Sequence, residues 1–342
     1  MFLEEQSKAE WLSLLKSSIK EYTLQEGLCL PPFVNKEIVG GEISIPDKDF
    51  IFPTPWLILC NAQDEGLLTA ALHNGVTGII CPKGTNLPTL DTQILPLYLI
   101  VEDRFSLDYK DDIFGTTDLY KRVIDLNNYK NEGVNIVHEL AIALKQLYDI
   151  SQAANQKDIY IIYTTRIGGS FLEEIAKLRS MRYLVKSLGK ILDKNIKIQI
   201  FVSNAVTNKT KDEPVNNIIR TTIETMAAVL GNADGIYMDT YGHCDKEISQ
   251  NLAQNIQHLL VHESEYGKYS NMIEGAYAIE YLSRQAIDIA WRYFIEIRDK
   301  IPLEAEAVFK SWCEEDAQHT AEQYESLEKI LVGLNKFKAP TA

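Results

Sequence analysis

Asp158-Ile-Tyr-Ile-Ile-Tyr-Thr164 is apolar at nearly every position and shows no apolar–polar alternation. A strand of that composition has both faces covered, the situation of a parallel sheet enclosed by helices. Just beyond it, Phe171, Ile175, Leu178, Leu184, Leu188 and Ile191 recur at the helical period, while Lys177, Arg179 and Lys186 fall off the stripe. That spacing predicts a helix over 171–192. Working outward, further β-branched or aliphatic runs predict strands at 56–60, 77–81, 97–101, 122–125, 197–202 and 235–238. Helical patterns over 134–150, 216–230, 248–261 and 277–297 alternate with several of them. Seven strands in series, with no sign of a second folded unit, predict an α/β fold closed into a (β/α)8 TIM barrel.

The flanks read differently. Residues 8–22, with Trp11, Leu12, Leu14, Leu15 and Ile19 at helical spacing, predict an amphipathic helix in an N-terminal extended arm, 1–45. Pro31, Pro32 and Pro46 suit an extended course there, and the unpaired apolar stripe is expected to wrap a partner. The barrel is expected over 46–337, with C-terminal helices (two over 303–334) and a short tail, 338–342.

Composition narrows the function. The 342 residues accommodate a barrel of about 250 residues with extensions. Hydrophobic residues are 46% and charged residues 24%, which excludes a disordered or disulfide-dense chain. Lys plus Arg is 34 against 48 for Asp plus Glu, so the net charge is −14 and the field repels nucleic acid and anionic membranes. Five scattered cysteines without a C-x-x-C pair indicate reduced thiols and a cytoplasmic protein, and no apolar run reaches the length of a membrane span.

Generic motifs are sparse. No Gly-rich phosphate loop is present. Gly168, Gly169 and Ser170 precede a helix, where free N–H groups could hold an anion, although Ser170 is expected simply to cap it. His258 and His262 lie four apart beside Glu263, and His243, Cys244 and Asp245 share one loop. Both groups are potential metal ligands, but a solvated helix face and a plain loop account for them more economically, so no metal is expected. Asp234 with Asp239, and Glu314 with Asp316, bring carboxylates together without showing which of them is buried.

Two longer stretches are more specific. Phe171-Leu-Glu-Glu-Ile-Ala-Lys-Leu-Arg-Ser-Met-Arg182 and the run from Asn208-Lys-Thr210 through Glu213-Pro-Val-Asn-Asn-Ile-Ile-Arg220 to Gly231 resemble the barrel domain of methylmalonyl-coenzyme A mutases. Gly133-Val-Asn-Ile-Val-His-Glu-Leu-Ala141, Gln254-Asn-Ile-Gln257, Gly275-Ala-Tyr277, Ile279-Glu280 and Val332-Gly-Leu-Asn-Lys-Phe337 continue the likeness in order. The resemblance implies a (β/α)8 barrel threaded by the pantetheine chain of a coenzyme A thioester. It also implies adenosylcobalamin on a separate domain and a radical isomerisation of methylmalonyl- to succinyl-coenzyme A.

The chain departs from that pattern where the family does chemistry. The D-x-H-x-x-G motif that ligates cobalt is absent, so no cofactor is expected to bind this chain alone. The family's S-G-Y-H position falls on Asn128, or on Lys130 if Tyr129 takes the Tyr, and a second His position falls on Phe201 with Ser203 in place of a Gln. No catalytic residue is therefore expected. Arg166, Ser203, Gln257 and Glu280 remain as substrate-binding candidates, and Phe201, Tyr160 and Tyr163 as side chains that fill the barrel axis. The N-K-T wording is closer to small-subunit barrels. The expectation is a small subunit that is structural for a large catalytic subunit in a heterodimer, with self-association in isolation left open. Two alternatives stand beside it: an active acyl-coenzyme A mutase barrel whose cobalamin domain is a separate chain, and a stand-alone coenzyme A-binding or regulatory barrel.

Overall fold

β-Branched and aromatic side chains suit a pleated surface buried on both faces, and strands form where those runs predict them. The computed structural model describes residues 22–338, apart from 25–26, 33, 41–44, 50–53, 62–64, 83–98, 103–119, 212, 242–245 and 269–271. A small antiparallel pair, β1 (Tyr22–Thr23) and β2 (Cys29–Leu30), comes first. Parallel strands follow: β3 (Leu57–Asn61), β4 (Gly78–Pro82), β5 (Leu99–Glu102), β6 (Tyr120–Asp125), β7 (Asp158–Ile167), β8 (Asn195–Asn204) and β9 (Gly235–Tyr237). Their order is β5-β4-β3-β9-β8-β7-β6. The last strand lies beside the first, with Leu57 opposite Gly235. This is the cyclic order of a barrel opened at one seam, a curled parallel α/β sheet of the (β/α)8 type. Among the described residues it has seven strands, not eight, and β5 and β6 do not pair.

Alternation along each strand divides the apolar side chains between two cores. Leu57, Leu59, Tyr160, Ile162 and Phe201 meet on the axis, with Ile80, Val123 and Tyr237 against them. Their chain neighbours Ile58, Ile159, Ile161, Tyr163, Ile200 and Val202 face outward into a larger core under the helices. Tyr160 and Phe201 therefore fill the axis as expected. Tyr163 does not, because an odd step along β7 turns it to the helical side, where its hydroxyl donates to Glu139 at 2.9 Å. Two axial positions must lack a side chain. A Cβ on Gly78 would lie 2.4 Å from Leu59 Cδ2, and one on Gly235 would lie 2.8 Å from Phe201 Cδ1.

The helices are α1 (Lys36–Val39), α2 (Glu65–His73), α3 (Asn127–Asn131), α4 (Ile136–Ala153), α5 (Phe171–Ile191), α6 (Pro214–Leu230), α7 (Lys246–His258), α8 (Tyr277–Ile297) and α9 (Pro302–Glu325). Helix α8 packs across the outer faces of α4 and α5. Arg179 is buried against it beside Glu280, and Lys177 is buried between α5, β7 and Glu139 of α4, although the helical period alone puts both off the apolar stripe. The stretch 303–334 forms one helix where two were expected. Beyond α9, Asn335 donates from Nδ2 to the carbonyls of Tyr324 and Lys329 and accepts from Leu331 N, and this clamp replaces a second helix. The helix expected over 8–22 lies outside the described residues except for Tyr22, which pairs in β1. The described part of the arm docks on its own chain: Leu28 is buried, and Cys29 N donates to Gln285 of α8 at 3.1 Å.

At the amino-terminal end of the strands, Asp234 pairs with Arg182 at 2.5 Å and accepts from Ile200 N at 2.7 Å. Lys48 donates to the carbonyls of Ala233 and Pro55 at 2.7 and 2.9 Å. Burial lowers the Lys48 ammonium to about 8, Asp234 works against that, and Arg182 reinforces it.

Gly235→Ala should cost ~1–3 kcal/mol through overpacking against Phe201, read by denaturant unfolding. Lys48 supplies a pH test. Above about pH 8 the folded state releases a proton that the unfolded chain holds up to the ordinary lysine value, so this residue makes stability rise with pH across that window. Lys48→Met should flatten that rise, measured as unfolding free energy on either side of about pH 8.

Candidate functional site

The carboxyl ends of barrel strands are where side chains of this fold converge on a ligand. Here the axial apolar cluster ends at Phe201 and Leu59, and these two form the floor of a cup of about 80 Å³. Asn61 of β3, Thr164 and Arg166 of β7, Ser203 of β8 and Asn127 of α3 line its polar wall, with Ile80 and Tyr237 completing the apolar side. The wall is cross-linked. Asp125 Oδ1 accepts from Asn127 N at 3.0 Å and from Thr164 Oγ1 at 2.7 Å. Asn127 donates from Nδ2 to Thr164 Oγ1 at 3.2 Å and accepts from Ser203 Oγ at 3.5 Å. Arg166 Nη1 donates to Asn204 O at 3.1 Å.

Two of the four substrate-binding candidates, Arg166 and Ser203, thus share one cup. Gln257 and Glu280 lie elsewhere. Gln257 accepts from Trp56 Nε1 at 3.1 Å and donates to Ile236 O at 3.3 Å, at the opposite end of the barrel. Glu280 pairs with Arg179 between α8 and α5 and accepts from Gly275 N. Asn128 and Lys130, the alternative positions onto which the resemblance put the family's first His, also lie outside the cup: Asn128 is exposed on α3, and Lys130 is buried beside Glu174. The residues that sequence reasoning passed over are Asn61, Asn127 and Thr164. Counting by twos along β3 and β7, from Leu59 and Ile162, would have found Asn61 and Thr164.

Behind the cup lies a buried ionic cluster. Lys177 Nζ sits 3.1 Å from Glu139 Oε2 and 2.8 Å from Glu174 Oε2, and Lys130 Nζ lies 3.3 Å from Glu174 Oε1. Lys177 also donates to Thr165 Oγ1 and to Arg166 O, which ties the cluster to the wall of the cup. Burial alone would raise the Glu174 carboxyl, but Lys130 and Lys177 outweigh it and hold the group below its ordinary range. Burial likewise opposes charge on Lys130, yet Glu174 and Glu139 keep its ammonium above its ordinary value. Two cations facing two carboxylates leave the cluster neutral overall.

The generic motifs resolve into structural roles. Ser170 makes no side-chain cap on α5. Instead Glu174 reaches back to accept from Gly168 N at 3.1 Å, so the protein's own carboxylate uses that donor. His258 Nε2 donates to Asn74 O and the ring stacks on His262, and among the described residues no group of three side chains is arranged for a metal. Residues 242–245, with His243, Cys244 and Asp245, lie outside the described residues. Asp316 binds His138 Nδ1 at 2.9 Å and Asn135 N at 2.8 Å, which docks α9 on α4, while Glu314 is exposed. Asn208 and Lys209 engage Glu224, and Thr210 engages Asn217, locking the loop after β8 to α6.

A curled parallel sheet with a polar cup at the carboxyl ends of its strands defines a protein of the (β/α)-barrel class. The chain belongs to the methylmalonyl-CoA mutase family, whose model matches residues 122–342. It is 25% identical over 235 residues to the methylmalonyl-CoA mutase of Rhizobium meliloti, a match covering 63% of this chain and 33% of that protein. It is 30% identical over 196 residues to the methylmalonyl-CoA mutase small subunit of Porphyromonas gingivalis (52% and 32%). To the large subunit of the same organism it is 29% identical over 185 residues (51% and 26%). The matched part thus spans only about a quarter to a third of these relatives.

Lys177→Met would leave Lys130 as the one ammonium beside the buried Glu139 and Glu174 and should cost ~3–5 kcal/mol in denaturant unfolding. Adding Glu139→Gln should return part of that loss, because one uncompensated charge is removed.

Proposed function

We propose that this chain is a small-subunit-type barrel of a cobalamin-dependent methylmalonyl-coenzyme A mutase, structural for a large catalytic subunit and without isomerase activity of its own. The observation that carries this reading is the occupied axis. A barrel that admits a pantetheine chain keeps an open path between its strands, whereas Leu57, Leu59, Tyr160, Ile162 and Phe201 here pack into one buried cluster. The position of the family's second His is part of that packing, as Phe201, and Gly235 makes room for its ring.

The cup does not fit cobalamin. About 80 Å³ over a phenyl floor is far smaller than a corrin, and among the described residues that line the cup there is no histidine. Adenosylcobalamin therefore belongs to the partner in this reading. The existence of both large and small subunits among the relatives supports a two-chain assembly.

Isothermal titration of the purified chain with a recombinant large mutase subunit and, separately, with methylmalonyl-coenzyme A tests this. Saturable binding of the subunit with no heat from the thioester is the expected result. Micromolar binding of the thioester would mean that the axis opens, and would replace the proposal with an active barrel served by a cobalamin domain on another chain.

A further inference from the structure

Helix α6 is polar on its inward side and apolar on its outward side. Inward, Asn217 donates to the carbonyls of Thr210 and Tyr241, Thr221 donates to Asp239 O, and Glu224 and Thr225 are buried beside them. Outward, Val215, Ile219 and Ile223 follow one another at i, i+4 and i+8 and are 68%, 57% and 46% exposed. That spacing makes one stripe along the helix. The stripe widens onto the turn after α9. Arg220 Nη2 donates to Val332 O at 2.5 Å, and a Cβ on Gly333 would lie 2.9 Å from Glu213 Cδ, so this turn is held against α6 with Val332, Leu334 and Phe337 exposed. Single exposed apolar residues are ordinary, but a set that spans a helix and its neighbouring turn marks an interaction surface.

Charge narrows the partner. The chain has a net charge of −14, yet the one acid within α6, Glu224, is buried against Lys209. The outward face of α6 therefore shows no carboxylate, as at the centre of a protein interface, where charged residues are depleted. Three exposed cations stand at its border, Lys211 before the helix and Lys336 and Lys338 at the end of the turn, and residues 329–338 contain no acid. A second copy would bring the same cations to this border, and two chains of net charge −14 repel each other. A different chain, with apolar side chains bordered by carboxylates, complements the face.

We propose that the outward face of α6 and the turn 332–337 dock the large catalytic subunit through an apolar patch of that subunit bordered by carboxylates. The partner's identity rests on the small-subunit reading above, whereas the surface rests on the exposed stripe and its cationic border.

Titration of the whole chain into a recombinant large mutase subunit tests the surface. Ile219→Glu puts a carboxylate into the stripe and should weaken binding at least about tenfold. Lys336→Glu combined with Lys338→Glu should weaken it less and should flatten its decline with added salt. Leu303→Glu, at an exposed apolar position of α9, should leave the affinity unchanged. All these positions are exposed, so each variant should keep the circular dichroism and melting temperature of the parent chain. Undiminished affinity in Ile219→Glu or in the lysine pair, or an equal loss in Leu303→Glu, overturns the surface and leaves the small-subunit reading in place. A parent chain that does not bind the large subunit overturns both. A homodimer in sedimentation that Ile219→Glu dissociates gives the face to a second copy and also overturns the proposal.

Discussion

Parallel strands curled into a barrel send every second side chain into one shared axial volume, and that volume must be either packed or kept as a passage. In this chain it is packed. Leu57 and Leu59 from β3, Tyr160 and Ile162 from β7 and Phe201 from β8 bury one another, and the two positions that would crowd them are Gly78 and Gly235. Apolar burial is worth roughly 25 cal/mol per Å² removed from water, so filling the axis with aromatic and branched side chains stabilises the barrel. The cup above Phe201, the outward turn of Tyr163 and the placement of Arg166 all follow from the same alternation.

The second constraint is charge. Nearly every ionisable residue in the block Phe171–Arg182 is buried, and each cation has its partner on another element: Lys177 with Glu139 of α4, Arg179 with Glu280 of α8, and Arg182 with Asp234 before β9. A buried charge without a partner destabilises strongly, so these residues act as a matched set. The loop after β8 repeats the pattern with Lys209 and Glu224. The stretches through which this chain resembles the mutases are thus the stretches that hold α4, α5, α6 and α8 around the sheet. The likeness runs through residues whose work is structural.

The strand and helix series was legible before any coordinates, because long apolar runs and a strong 3.6 period leave few alternatives. All seven predicted strands form, within a few residues of their expected ends. The errors have specific causes. A single helix replaced two after residue 302 because the Asn335 side chain competes with helical hydrogen bonds, which composition does not show. Lys177 and Arg179 fall off the apolar stripe because a helical period sees one covering surface, whereas α5 is covered by the sheet, α4 and α8. Gln257 and Glu280 were singled out from motif position, and their side chains face buried partners instead of the cup.

Hydrophobic period, β-branched runs and ordered motifs settled by themselves that the chain is a helix-covered parallel sheet of the mutase type, because those signals are local and survive without knowledge of neighbours. Only the tertiary structure decided which face of each strand looks inward and which buried charges meet. Those outcomes depend on side chains brought together from positions far apart in the sequence, such as the 101 residues between Arg179 and Glu280, and no local pattern encodes such a meeting.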